Sequence, residues 1–275
     1  MTYTVRERIR RVQEDAAAQL RWSVRPLAVP DSTGLELIPA GSAVLIWHRG
    51  TRYILSAAHV VELYPECAYY LGTRSTWIEL PRPFRVPPVP PGGRDNDPYD
   101  FAFHAVAPEL ATQLDGCEFL TADRVATNDQ LVFETPARSK YIALGFPLNK
   151  FKLKRGSKTT ITPSLAYAGG IVPRHKYDAV KIDPRQHIVI EFDQKQVIGS
   201  EGQQHSPAIK GLSGGGMFRI PALERVSSNE NPRLAAITIE HRAERRLIVG
   251  VRIELVLSAI SKDVRENPEL YPQSV

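Results

Sequence analysis

The sequence predicts an all-β protein with two β-rich halves. From Leu35 onward, short runs rich in β-branched and aromatic residues are separated by Gly, Pro, Asn and Asp. The chain shows no alternation of strands with long helices, which a βαβ protein would need. Its 275 residues, 43% of them hydrophobic, can bury a substantial core without disulfides. These observations favour barrels or sandwiches. The predicted strands are 42–47, 52–56, 69–71, 101–106, 130–133, 141–144, 187–192, 234–239 and 247–253.

The N-terminal segment 1–24 is predicted to be helical over residues 4–21. Apolar residues repeat there at helical spacing, and Thr4 with Glu7 forms a capping-box pattern. Charges throughout the segment leave no apolar signal core, and no stretch approaches the roughly 18 apolar residues of a membrane span. We therefore expect a cytoplasmic protein with no membrane partner. The repeating apolar residues are Val5, Ile9, Val12, Ala16 and Leu20.

The two β-rich halves are predicted to meet near residues 107–128, where the strand pattern is interrupted. This gives a first half at 25–122, a second half at 123–262 and a C-terminal tail at 263–275. The proline-rich segment 81–98 cannot form a continuous helix or a central strand. It is either a surface loop inside the first half or a linker, and a polyproline ligand for a partner is the third alternative.

Three segments contain residues suited to acyl-transfer chemistry. His59 follows an apolar strand and three small residues, and Asp100 opens the run Asp-Phe-Ala-Phe, with Asp97 as a competing acid. Ser213 is preceded by Gly-Leu and followed by three glycines, and dense glycine lets backbone N–H groups converge on one spot, as an oxyanion hole requires. Each segment taken alone also fits an ordinary turn.

The chain order His59, Asp100, Ser213 is that of chymotrypsin-type enzymes, whereas an α/β-hydrolase has the order Ser, acid, His. The chain resembles the trypsin/chymotrypsin-like serine peptidases, in particular the bacterial, disulfide-free branch related to HtrA-like proteases. The resemblance covers about residues 35–262. It is carried by SAAH at 56–59, DFAF at 100–103, LGFP at 144–147, GLSGGGMF at 211–218, LAAITI at 234–239 and LIVGVRIELVLSAI at 247–260.

This resemblance implies a chymotrypsin-like fold, two six-stranded Greek-key β-barrels with an N-terminal helix, a C-terminal helix and the active site in the cleft between the barrels. Ser213 would be the nucleophile, His59 the general base and then acid, and Asp100 the carboxylate that orients the imidazole. Asp97 is disfavoured because Pro98 restricts it to an extended turn. The backbone N–H groups of Gly211 and Ser213 would form the oxyanion hole.

Substrate preference is less well determined by the sequence. The pocket would be lined by residues 205–209 and by the strand Thr238-Ile239-Glu240-His241. Glu240, or Glu201, would favour a basic substrate residue unless it is simply solvated surface. Leu212 stands where the secreted enzymes carry the aspartate that pairs with a newly cut N-terminus. Activation by that salt bridge is therefore not expected.

The remaining features exclude several classes of function. The two cysteines cannot make a disulfide framework, and no metal or cofactor motif occurs, so neither a cofactor nor a metal is expected. Residues 150–155 alternate basic and apolar side chains, as in a protected edge strand or a surface for an acidic partner. They lack the aromatic interleaving that base stacking uses, and the net charge is only +5, so nucleic acid is not expected as a partner.

The sequence thus predicts a serine endopeptidase that acts on a protein or peptide substrate through an acyl-enzyme. Two alternatives stay open. One is a binding module with the protease fold and little activity, and the other is a conditional protease switched on by a protein partner in a regulatory or defence system.

Overall fold

A computed structural model of the chain describes residues 5–81, 84–91, 93–94, 97–126, 140–148, 164–192, 197–199, 202–204, 211–220 and 231–271. Within these ranges strands dominate and most helices are short. None of the described helices is long and apolar enough to cross a bilayer. The helices are α1 Val5–Leu20, α2 Ala58–Glu62, α3 Pro108–Ala111, α4 Arg174–Ala179 and α5 Ile253–Glu266. The strands are β1 Val24–Pro30, β2 Leu37–His48, β3 Thr51–Ser56, β4 Tyr69–Gly72, β5 Trp77–Leu80, β6 Ala102–Val106, β7 Lys140–Gly145, β8 Leu165–Gly170, β9 His187–Glu191, β10 Val197–Gly199, β11 Gly202–Gln204, β12 Gly216–Ile220, β13 Arg233–Arg242 and β14 Leu247–Arg252.

The first sheet has six antiparallel strands in the order β5-β4-β1-β2-β3-β6. A further antiparallel bridge between Arg85 and Phe103 joins the chain that follows β5 to β6, so the sheet curls toward closure. Residues 40–46 of β2 are buried on both faces of the strand. One face points into the curled sheet, and the other packs against neighbouring elements.

The second sheet has the order β11-β10-β8-β7-β12-β13-β14-β9. Six of these strands, from β8 to β9, form a curled unit, because a bridge between Ile171 and Ile190 brings its two ends together. The short hairpin β10–β11 extends the sheet through the pairing of Ile198 with Ala166. The predicted double-barrel fold class is therefore confirmed, with one added hairpin in the second half.

The proline-rich segment is a loop of the first half rather than a linker. The Arg85–Phe103 bridge lies inside the first sheet, and the Arg94 guanidinium bonds to the Glu62 carboxylate at the end of α2. The predicted helix over 4–21 corresponds to α1, whereas Thr4, the predicted strand 130–133 and the basic run 150–155 lie outside the described residues.

Helix α5 continues directly from β14, packs against β13 and β14 of the second sheet, and meets the first sheet near its C-terminal end. Its buried face is Ile253, Val256 and Ile260, and it runs to Glu266, past the position where a tail was expected to begin. Beyond it, the Tyr271 ring lies 6.4 Å from that of Tyr53 in β3. Burial of these apolar side chains therefore holds the helix against the barrels.

Candidate active site

His59 lies at the start of α2, immediately after β3 has brought the chain to one end of the first barrel. Its backbone N–H donates to Asp100 Oδ1 at 2.9 Å, and its ring Nδ1 lies 2.7 Å from Asp100 Oδ2. The imidazole is 39% exposed while the Asp100 side chain is only 8% exposed. A buried carboxylate thus holds His59 at two points, its backbone N–H and its ring Nδ1, and leaves the far edge of the imidazole toward solvent.

Strand register explains why Asp100 reaches His59. Ser56 of β3 pairs with Ala102 of β6, so the residues just before β6 lie beside those just after β3. Phe101, at 1% exposure, anchors the chain between them in the core. The sequence-predicted pair is therefore brought together by a single antiparallel pairing.

Asp97, the competing acid, has a different role. Its carboxylate bonds to the Arg94 guanidinium and accepts the N–H of Tyr99 at 2.8 Å. Arg94 also donates to Glu62 at 2.6 and 2.8 Å and to the Pro87 carbonyl. These hydrogen bonds raise the pKa of Arg94 above its usual value. Asp97 shapes the turn that presents Asp100 and does not contact His59.

Ser213 is contributed by the second half, in the turn that leads into β12. Its Oγ donates to the Ile239 carbonyl at 3.2 Å, and no hydrogen bond joins it to His59 among the described residues. Its side chain is therefore held by the neighbouring strand β13. A change of the Ser213 χ1 rotamer would move Oγ away from the Ile239 carbonyl.

Backbone geometry around Ser213 depends on glycine. Gly211 has φ +105°, and a Cβ there would lie 2.5 Å from the Phe146 carbonyl oxygen and 2.7 Å from the Leu148 nitrogen. Gly214 has φ +83°. Both values lie in the region that only glycine adopts at low cost, and the space beside Gly211 excludes any side chain.

The N–H groups of this turn divide into two sets. Those of Gly214 and Gly215 donate to the carbonyls of Thr238 and Leu212 at 2.7 and 2.8 Å. Those of Gly211 and Ser213 donate to no acceptor within the described part of the chain. Two unused N–H groups beside a hydroxyl are what an oxyanion hole requires.

Ser42 ties this turn to the first barrel, and sequence reasoning missed it. From inside β2, its backbone N–H donates to the Ser213 carbonyl at 3.0 Å and its Oγ donates to the Gly211 carbonyl at 2.7 Å. The same Oγ accepts the Phe146 N–H at 2.8 Å, and the Ser42 carbonyl accepts Ser56 Oγ at 2.8 Å. In the sequence, this serine is distinguished only by its place within an otherwise apolar run that precedes His59.

A cleft of about 420 Å³ adjoins His59 and Asp100. Ile239 and Glu240 line it, whereas Thr238 is buried behind the Ser213 turn, where its backbone bonds to Gly214 and Gly215. Residues 201 and 205–209, also predicted to contribute, lie outside the described residues. Sequence reasoning missed several further lining residues, among them Lys181, Asp183, His187 and Arg242.

Charge in the cleft is largely paired. Glu240 Oε2 accepts from Arg242 Nε at 2.9 Å, so this carboxylate already has a cation beside it. The Asp183 carboxylate is bonded to Arg185, which lowers the pKa of Asp183. Burial lowers the pKa of His187, so that imidazole is neutral at pH 7. The pairing of Glu240 weakens the expectation that it selects a basic substrate residue.

No group of three or more His, Cys, Asp or Glu side chains in the described ranges is arranged to hold a metal ion. Both cysteines are free, and burial raises the pKa of Cys117 to about 11, so its thiol is a poor nucleophile at neutral pH.

Comparison with known proteins identifies structural neighbours only. No family model matches the chain, and no curated protein matches it in sequence. Among solved structures, the serine protease domain of the Sesbania mosaic virus polyprotein is similar at a TM-score of 0.46 and 11% identity, over 86% of this chain and 90% of that one. A structure concerning coupled folding and binding of the disordered Sesbania mosaic virus VPg protein is similar at 0.46 and 12% identity, over 86% and 95%.

Proposed function

We propose that the protein is a serine endopeptidase that uses His59, Asp100 and Ser213. The observation that carries the proposal is the doubly held His59–Asp100 pair at the edge of a cleft. Ser213, on a glycine-dependent turn of the second half, supports it.

The proposed reaction begins when substrate binding draws Ser213 Oγ from the Ile239 carbonyl to His59 Nε2. Because Nδ1–H donates to Asp100, Nε2 carries a free electron pair and takes the serine proton as Oγ attacks the scissile carbonyl carbon. The negative charge that develops on the carbonyl oxygen is met by the N–H groups of Gly211 and Ser213.

Collapse of this intermediate breaks the C–N bond, and the imidazolium gives its proton to the leaving amine. The acyl group remains on Ser213 Oγ. Water then attacks the acyl carbon, with His59 again taking a proton and returning it to Oγ, which releases the acid product. The buried Asp100 carboxylate, which accepts the Nδ1–H of His59, stabilises each imidazolium.

Substitution of the nucleophile tests the proposal directly. We expect Ser213→Ala to abolish labelling by a fluorophosphonate and to lower casein hydrolysis by about 10⁵ or more, since triad members act as a unit. Ser258→Ala, at an exposed position of α5, is the matched control and should retain both activities. Labelling that persists in Ser213→Ala would exclude this serine as the nucleophile, and wild type that neither labels nor cleaves would favour a binding module.

A second candidate is a protease that a protein partner switches on. It is favoured by the bond from Ser213 Oγ to Ile239 and by the lack of one to His59 in the described structure. Under this alternative the purified chain is nearly silent and gains activity when the partner is added. Full turnover by the chain alone would reject it.

We further propose a cytoplasmic, disulfide-free enzyme of the HtrA-like bacterial branch, which uses no cofactor or metal and acts on protein or peptide substrates. The free state of both cysteines supports a reducing compartment. The motifs SAAH and GLSGG support the branch.

A further inference from the structure

A second concave site lies at the opposite end of β3 from His59. It holds about 260 Å³ between the turn that joins β2 to β3 and the C-terminal part of α5. Pockets that hold drug-sized ligands have volumes of roughly 300 to 1,000 Å³. This smaller pocket therefore suits a group the size of one or two residues.

The floor of the pocket is apolar. Tyr53 and Ile260 are 2% and 1% exposed, and Val264 and Tyr271 complete the surface. The Tyr271 hydroxyl is already bonded to Asp263, so the ring presents carbon to the pocket. The floor is thus suited to an aliphatic or aromatic group.

The rim, by contrast, is basic. Arg49, in the β2–β3 turn at φ +49°, and Arg265, in the last turn of α5, line the pocket from different elements. Both are exposed, and neither has an acidic partner in the described part of the chain. No acidic side chain is among the residues lining the pocket. Two unpaired guanidinium groups over one cavity favour an anion.

A third polar group is unused in the wall. His48 lines the pocket, and its Nε2 is buried with no hydrogen-bond partner among the described residues. The hydroxyl of Ser261 lines the same cavity.

We propose that this pocket binds an apolar group that carries a carboxylate, such as the last residue of a peptide chain. The apolar floor takes the side chain, and the two guanidinium groups take the carboxylate. The site does not depend on the peptidase activity of Ser213, because it lies at the other end of β3.

Isothermal titration of the full chain tests this with N-acetyl-phenylalanine, its amide and phenylpropionate. We expect saturable binding of N-acetyl-phenylalanine and at least about tenfold weaker binding of the amide, which lacks the charge. Phenylpropionate has the charge and ring without the peptide group. Binding as tight as that of N-acetyl-phenylalanine identifies a small aromatic acid as the ligand type, and weaker binding identifies a peptide terminus.

Variants assign the binding to this pocket. Arg49→Gln together with Arg265→Gln should weaken N-acetyl-phenylalanine binding by about tenfold or more, with an unchanged melting temperature. The matched control, Arg245→Gln, changes an exposed arginine of the second barrel and should bind as wild type. Absence of saturable binding up to roughly 10 mM overturns the proposal. So does equal binding of the amide, or binding that the double variant leaves intact.

Discussion

Single residues around Ser213 are constrained by backbone contacts more than by side-chain chemistry. Gly211 has a positive φ and no room for a Cβ, so two separate constraints require glycine at this position. Ser42 is the only described side chain that bonds to the Gly211 carbonyl, and it does so from the other barrel. The position of the unused N–H groups in this turn therefore depends on Gly211 and Ser42.

Replacing Gly211 tests the first constraint. We expect Gly211→Ala to lower kcat by about 10² to 10³ or more, because the added Cβ displaces the peptide and misaligns an oxyanion donor. Gly34→Ala is the matched control, since Gly34 also has a positive φ, +70°, but nothing lies within 4 Å of a Cβ there. It should lose about 1 kcal/mol of stability and keep its kcat. Equal losses of kcat in the two variants would contradict the mechanism.

Ser42→Ala tests the second constraint. The Gly211 carbonyl and the Phe146 N–H each lose a buried partner, so the free energy of unfolding should fall by about 1 to 3 kcal/mol, measured by urea titration. We also expect kcat to fall by about tenfold with little change in KM, because the turn loses its anchor. Ser56→Ala removes only the bond to the Ser42 carbonyl, and it should lower stability without this loss of kcat.

At the scale of elements, Arg94 joins the described residues 84–91, 93–94 and 97–98 to helix α2. Arg94 is bonded to Glu62 of α2, to Asp97 and to the Pro87 carbonyl, and its side chain is only 11% exposed. These bonds fix the turn that precedes Asp100, the residue that contacts His59.

We expect Arg94→Gln to lower kcat by about tenfold to a hundredfold and stability by about 2 to 4 kcal/mol, because Asp97 and Glu62 are left without their cation. Cleavage assays and urea titration measure the two effects. Arg185→Gln is the control, since Arg185 pairs with Asp183 at 88% exposure, and it should leave stability unchanged. An Arg94→Gln enzyme with wild-type kcat would show that Asp100 is held without the loop.

The elements that sequence predicted well were those with a local signal. β3 with His59, β6 with Asp100 and the glycine turn at Ser213 each combine an apolar run with a distinctive end. The hairpin β10–β11 was missed because its residues carry no alternating pattern, and α4 because six residues give too little helical period. Ser42 and Arg94 were missed because their roles come from contacts across more than thirty positions of the chain, which no local pattern reports.

For the whole molecule, stability should depend on pH through buried imidazoles. Burial lowers the pKa of His48, His187 and His241. Below about pH 6.5 the unfolded chain therefore binds more protons than the native one, and the free energy of unfolding decreases as pH falls.

His187, at 6% exposure, should account for up to about 1.4 kcal/mol per pH unit in this window. Urea titrations at pH 7.5, 6.5 and 5.5 measure the slope, and His187→Gln should flatten it. Exposed His175→Gln is the control and should leave the slope unchanged. Constant stability from pH 7.5 to 5.5 in the wild type would show that these imidazoles protonate without cost.

The position of α1 bears on how the chain acquires its fold during synthesis. The helix precedes the first barrel, yet it packs against β7 and β8 of the second, with Ala16 and Leu20 buried. At usual elongation rates, its partner strands leave the ribosome on the order of ten seconds after the helix does. An isolated helix of 16 residues is marginal in water, so α1 is at most partly helical until the second barrel is made. Until then, the Ala16 and Leu20 side chains that the folded protein buries stay exposed to solvent and to any nascent-chain chaperone.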